Sequence, residues 1–252
     1  MSNQAITAHA TTRTVRAIAI VLALCLVPAV AVLAQQASSS TSSPQKEITI
    51  EELFLQSVEM QILREKAFSG DLDVKLSALD DLEKKVNDGS YKSSDQQVEF
   101  VLEYLAMEGS AHTTREAGRL VNNFPEVRRR AANLLGRVGT PEAKEALVRV
   151  LIIDEEPVVK AEAAYALGVI GNNDNDEVVQ ALAYVFAKEN PQAPDNNFGY
   201  AMCLAVEKLA AKNGSIKDPA AYQILVKIAG GNYLRTVKTK ALQVLDELKS
   251  AR

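Results

Sequence analysis

From residue 46 onward, apolar side chains recur at intervals of three and four, which places them on one face of a helix. Nothing in this stretch alternates with the period of two that a half-buried strand needs. Helix-stop signals punctuate the pattern at Gly70, Gly89, Gly109, Gly139, Gly171, Gly214 and Gly230-Gly231. A series of helices joined by short turns is therefore expected. Residues 47–70, with Ile50, Leu53, Phe54, Val58, Ile62 and Leu63, predict an amphipathic N-terminal capping helix ahead of a repeat domain at 71–252.

Sliding the chain against itself reveals the repeat. Val127-Arg-Arg-Arg-Ala-Ala-Asn-Leu-Leu-Gly-Arg-Val-Gly139 superposes on Val159-Lys-Ala-Glu-Ala-Ala-Tyr-Ala-Leu-Gly-Val-Ile-Gly171 at an offset of 32. A second pair follows, Glu145–Leu151 over Gln180–Phe186 at an offset of 35, so the Asn172–Asp176 turn holds a three-residue insertion. The first-helix pattern returns at Val74–Leu82 and Val237–Leu248, and in degenerate form at Phe198–Leu209 ahead of Ala220–Ile228. Residues 111–125 fit no clear phase; Thr113–Val121 reads as a separate helix, with Pro125 opening the next.

Val127–Gly139 and Val159–Gly171 resemble the HEAT repeat family, in the bacterial form similar to phycobilisome-lyase HEAT-like repeats. The resemblance implies an all-α fold, an α-solenoid of stacked antiparallel helix pairs forming a HEAT-like superhelix. It also implies a scaffold that binds through its surface, without implying an activity. Small residues at Ala131-Ala132 and Ala163-Ala164 suit close approach of neighbouring helices. Leu134, Leu135, Val138, Leu167 and Ile170 are expected to fill the layer between them. Gly139 and Gly171 suit left-handed helix stops, and Pro141 and Pro157 suit first turns, where a missing N–H costs nothing.

The opening segment has a different pattern. Residues 1–34 lack acids, carry Arg13 and Arg16, and continue into the 11-residue apolar run Ala17–Val27. A basic start, a short apolar stretch and Val32-Leu33-Ala34 read as a signal peptide cleaved between Ala34 and Gln35. An uncleaved anchor is opposed by Pro28 and by an apolar length of only 18 residues. Lipidation at Cys25 is opposed by the bulky Leu24 before it. Residues 35–46, rich in Ser and Thr, read as a flexible linker. Export to the periplasm or another extracytoplasmic space is expected, with no stable membrane span after cleavage.

Charge and composition narrow the chemistry. The whole chain has 28 Lys+Arg against 32 Asp+Glu; without Arg13 and Arg16 the balance becomes −6, which disfavours a nucleic-acid partner. After residue 34 only His112 and Cys203 remain of their kinds, too few for a zinc site or a His-based catalytic constellation. Cys203 lies in an apolar run and reads as a buried, inert thiol. Asn172–Glu177 fails the calcium-loop pattern, because Glu177 stands where Gly is needed and Ala183 where a bidentate Glu is needed. Asn213-Gly-Ser215 is either a glycosylation sequon or a plain turn. No metal, cofactor or catalytic residue is expected.

Basic residues recur at one repeat position, Lys75, Arg128, Lys160 and Lys238. The ladder is either an anion track or a set of pairs with Asp73, Glu126 and Glu156; pairing is the expectation. Arg128-Arg129-Arg130, with Arg115, Arg119, Arg137 and Arg149, is interleaved with acids and reads as a partly paired face. The leading function is a non-catalytic scaffold binding another protein or peptide. Contact candidates on the second helices are Lys144, Arg149, Gln180 and Tyr184. The alternatives are a lyase or transferase acting on a small ligand in the concave groove, or a self-associating envelope protein.

Overall fold

The computed structural model describes residues 50–89 and 96–250. The expected signal segment with Cys25, the expected Ala34–Gln35 cleavage site and the expected linker at 35–46 lie outside the described residues. The described residues fall in one compact unit, Ile48–Arg252. Ten α-helices follow in order: α1 (Ile50–Phe68), α2 (Leu72–Asn87), α3 (Gln96–Met107), α4 (Pro125–Val138), α5 (Pro141–Ile153), α6 (Pro157–Ile170), α7 (Glu177–Phe186), α8 (Asn196–Asn213), α9 (Pro219–Gly230) and α10 (Arg235–Ser250).

Helix ends follow local chemistry. Asp71, Thr140, Asp195 and Asp218 accept hydrogen bonds from first-turn N–H groups of α2, α5, α8 and α9. Proline opens α4, α5, α6 and α9. Gly139 (φ 74°) and Gly171 (φ 73°) end α4 and α6 in the left-handed conformation, as the repeat pattern requires.

The helices form an all-α solenoid of two rows. Helices α2, α4, α6, α8 and α10 pack side by side in one row, and α1, α3, α5, α7 and α9 in the other. Val127, Ala131, Ala132, Leu134 and Leu135 of α4 are buried, as are Val159, Ala163, Ala164 and Leu167 of α6. Val138 and Ile170 pack against this core from its edge. Two further repeat positions set the helix spacing. A Cβ on Gly136 would lie 2.6 Å from Ala166 Cβ, and one on Gly168 would lie 2.8 Å from Ala205 Cα. The first-row backbones touch there.

One expectation is corrected. Residues 113–121 do not form a helix: Arg115–Glu116 (β1) and Arg119–Leu120 (β2) pair antiparallel. Ala117 (φ 48°) and Gly118 (φ 82°) both adopt positive φ at the turn, the geometry of a tight hairpin. Asn122 anchors it, accepting from Thr114 N–H at 2.8 Å and donating to His112 O at 2.7 Å. The β-branched Thr113-Thr114 and the Ala-Gly turn override a weak helical pattern. Helix α1 packs on α2 and α3. It buries Leu63 and Ala67 against the stack, yet much of its apolar surface faces solvent.

Candidate functional site: ion-pair rungs and a first-row groove

The basic ladder is structural, but its acids are not the ones expected. Lys75 in α2 lies 2.6 Å from Glu108 after α3, and also donates to Ala67 O at 2.7 Å. Arg128 in α4 reaches Asp154, the residue after α5, at 2.6 Å, and donates to Asn123 Oδ1 at 2.8 Å. Lys160 in α6 holds Glu189, just past α7, at 2.6 Å. Each cation thus crosses to the acid that ends the second helix of its own repeat. Asp73, Glu126 and Glu156 sit too near the starts of the first helices to serve.

The next rung is rewritten. At the position of Lys160 the α8 repeat carries Gly199, and three residues past α9, where Glu189 follows α7, stands Tyr233. A Cβ on Gly199 would lie 2.4 Å from Tyr233 Cε1, so the ring occupies the space a basic side chain would fill. Burial, with Glu189 nearby, pushes the Tyr233 phenol up to about 12. Lys238 in α10 has no acidic partner among the described residues.

The arginine cluster is largely neutralised. Arg129 pairs with Glu126 at 2.7 Å and Glu162 at 3.5 Å, Arg130 with Asp80 at 2.7 Å, and Arg137 with Glu83 at 3.1 Å. These pairs tie α4 to α2 and α6. The hydrogen bond from Arg129 holds the Glu126 carboxyl below its usual range, and the same contact raises the Arg129 guanidinium.

The four second-helix residues do not converge on one site. Lys144, expected to be exposed, is buried and pairs with Glu177 at 2.8 Å. Arg149 is half-exposed and bound to Glu103 at 2.6 Å. Gln180 is exposed. Tyr184 is exposed, with Lys188 Nζ 4.0 Å from its ring centre.

A surface that periodicity did not single out lies on the first row. An open groove of about 670 Å³ runs over α6, α8 and α10. Its apolar floor includes Val158, Tyr165, Tyr200, Leu204 and Leu234. Arg129 and Glu162 border it from α4 and α6, and Glu162 also accepts from Asn133 at 2.8 Å. Asn196 accepts from Leu234 N–H at 2.8 Å, fixing α10 against α8. Lys208 Nζ lies 5.1 Å from the Tyr165 ring centre. Asn197 and Thr236 line the groove with no hydrogen bond among the described residues. The one available sequence signal was the exposed large side chains at Val158, Tyr200 and Leu234, which fall outside the core-facing positions.

Other candidates have structural roles. The sequon residue Asn213 donates to Gly171 O at 2.8 Å and Leu209 O at 2.7 Å. In the Asn172–Asp176 turn, Asn173 donates to Asp176 at 3.0 Å and accepts from Val179 N–H at 3.2 Å. His112 is exposed and stacks on Tyr104. Cys203 is buried, and desolvation pushes its thiol up to about 12. Among the described residues, no group of His, Cys, Asp and Glu could hold a metal ion, and no helix is long and apolar enough to cross a membrane.

No curated protein matches the chain. The family model for HEAT repeats matches residues 118–193, which span the end of the hairpin, α4 to α7, and the loop holding Glu189. HEAT repeats are in general non-catalytic scaffolds for protein–protein interaction. The central repeats of this solenoid, with their Arg128–Asp154 and Lys160–Glu189 rungs, are thus similar to HEAT repeats.

Proposed function

We propose that this protein is an exported, non-catalytic scaffold that holds another protein in the groove over α6, α8 and α10. The groove carries the reading. It joins an apolar floor with two tyrosines to the unbonded side chains of Asn197 and Thr236. Aromatic side chains beside free amides and hydroxyls suit a polypeptide that offers aliphatic anchors and a backbone to be hydrogen-bonded. The ion pairs around it are closed within the chain, so they leave no strongly charged track for a nucleic acid. The basic, apolar, small-residue order of residues 1–34 supports export, with release after Ala34.

Site-specific photo-crosslinking tests the reading. A crosslinker at Tyr200 should capture one protein from the envelope fraction, and a crosslinker at Gln180 on the other row should not. Tyr200→Ala should cost about 1–2 kcal/mol of binding, as truncation of an interface aromatic does. Recovery of no specific protein from position 200, or equal recovery from 180, refutes it.

A further inference from the structure

The groove over α6, α8 and α10 contains one acid that no cation closes on. Glu162 stands in its wall with 16% of its side chain exposed. Asn133 Nδ2 donates to its Oε1 at 2.8 Å, while Arg129 Nη1 stays 3.5 Å from its Oε2. The Arg129 guanidinium is turned to Glu126 instead, donating from Nε at 3.1 Å and from Nη2 at 2.7 Å. The repeat explains why no other cation serves. The positions equivalent to Glu162 are Arg130 in α4, Ala201 in α8 and Lys240 in α10. Arg130 reaches back to Asp80 and Glu83, and Lys240 to Glu207 at 2.7 Å. Ala201 has nothing beyond Cβ with which to cover the carboxylate, and both residues line the groove.

On the reading of this groove as a protein-binding site, we propose that the bound segment carries a lysine or arginine between aliphatic residues, its cation resting on Glu162. A half-buried carboxylate with one neutral donor and one distant guanidinium gains from a charge brought within hydrogen-bond range. Tyr165 follows Glu162 by one turn on α6, and Tyr200 stands beside Ala201 on α8. The stem of the incoming side chain therefore has aromatic surface on both helices. Lys208 Nζ lies 5.1 Å from the Tyr165 ring centre, so this ring already takes a cation on its face. Lys208 itself is rooted beside Gly168, about 9 Å along α6 from Glu162, and does not line the groove. Val158, Leu204 and Leu234 offer surface to the aliphatic neighbours. An acidic or phosphorylated segment is disfavoured. The one guanidinium at the groove is held by Glu126, and the net charge of the chain, −4, repels a second anion.

Four pools of nonapeptides with random Ala, Val, Leu and Ser flanks, alike except for a central Lys, Arg, Gln or Glu, test this by fluorescence anisotropy on the full chain. The Lys and Arg pools should bind about tenfold more tightly than the Gln pool, and the Glu pool most weakly. Glu162→Gln, which keeps the shape of the side chain, should abolish the difference between the Lys and Gln pools. Arg129→Gln, which removes the guanidinium 3.5 Å from Glu162, should widen it about threefold. Both variants should keep the circular dichroism of the parent. Equal binding of all pools, binding of none, or a preference that survives Glu162→Gln overturns the proposal. So does a preference for the Glu pool, which passes recognition to Arg129. Glu162-dependent binding of butylammonium as tight as that of the Lys pool makes the ligand a free amine and overturns it as well. In each of these cases, capture of one protein by the crosslinker at Tyr200 leaves the groove as a protein site, and failure of that capture removes both readings.

Discussion

Arg128 Nε and Asp154 Oδ2 meet at 2.6 Å, with side chains only 3% and 0% exposed, and so join the first turn of α4 to the end of α5. The guanidinium also donates to Glu108 O at 3.2 Å, which links this rung to the one before it. A buried charge held this way is costly to strand and cheap to replace as a pair. Asp154→Ala should destabilise the protein by about 3–5 kcal/mol, lowering the melting temperature by on the order of 10 °C. The double change Arg128→Met with Asp154→Leu should recover most of that loss. Thermal and urea unfolding of the three forms checks both statements; equal losses in the single and double variants would refute the coupling.

Gly136 and Gly168 set two opposing effects against each other. Alanine is favoured over glycine inside a helix by about 1 kcal/mol. Here a new Cβ meets Ala166 and the Ala205 backbone below 3.0 Å, and neither can swing away. The steric effect should win, so Gly136→Ala and Gly168→Ala should each destabilise by about 1–3 kcal/mol. Chemical denaturation reads the sign directly, and a gain in stability would mean that the first-row helices are looser than described.

Cys203 and Tyr233 make the fold sensitive to alkali. Burial moves the thiol from 9.0 to about 12, and the phenol from 10.0 to about 12. Above pH 9 the unfolded chain releases a thiol proton that the folded chain retains, and above pH 10 the phenol adds to this. Stability should therefore fall as pH rises from about 9 toward 12. At pH 8 the native thiol should react with iodoacetamide about a thousandfold more slowly than the urea-unfolded chain. Mass spectrometry of alkylated samples measures the ratio, and comparable rates would exclude a buried thiol.

Asn213 closes the end of α8 onto α6 through two carbonyls, so its amide is not free to accept a sugar. In a host that glycosylates exported chains, position 213 should remain unmodified. Asn213→Ala should cost about 1–2 kcal/mol through the two unsatisfied acceptors. Intact-mass measurement and thermal melting check these outcomes.

The sequence by itself determined the helices, their stops and the identity of the packing face, because these depend on neighbours three and four residues away. Val127–Gly139 over Val159–Gly171 sufficed to predict a solenoid, and Gly139, Gly171, Pro141 and Pro157 took the places their backbone preferences dictate. Tertiary structure alone decided which acid each basic residue meets, since Glu108, Asp154 and Glu189 lie 26 to 33 residues from their cations. It also buried Lys144, turned residues 115–120 into a hairpin, set Tyr233 on Gly199 and opened the groove between Tyr165, Tyr200 and Leu234. Periodicity marks a face as buried or exposed, but it carries no information about which distant side chain will stand opposite. For that reason the scaffold could be read from the chain, and its candidate binding surface could not.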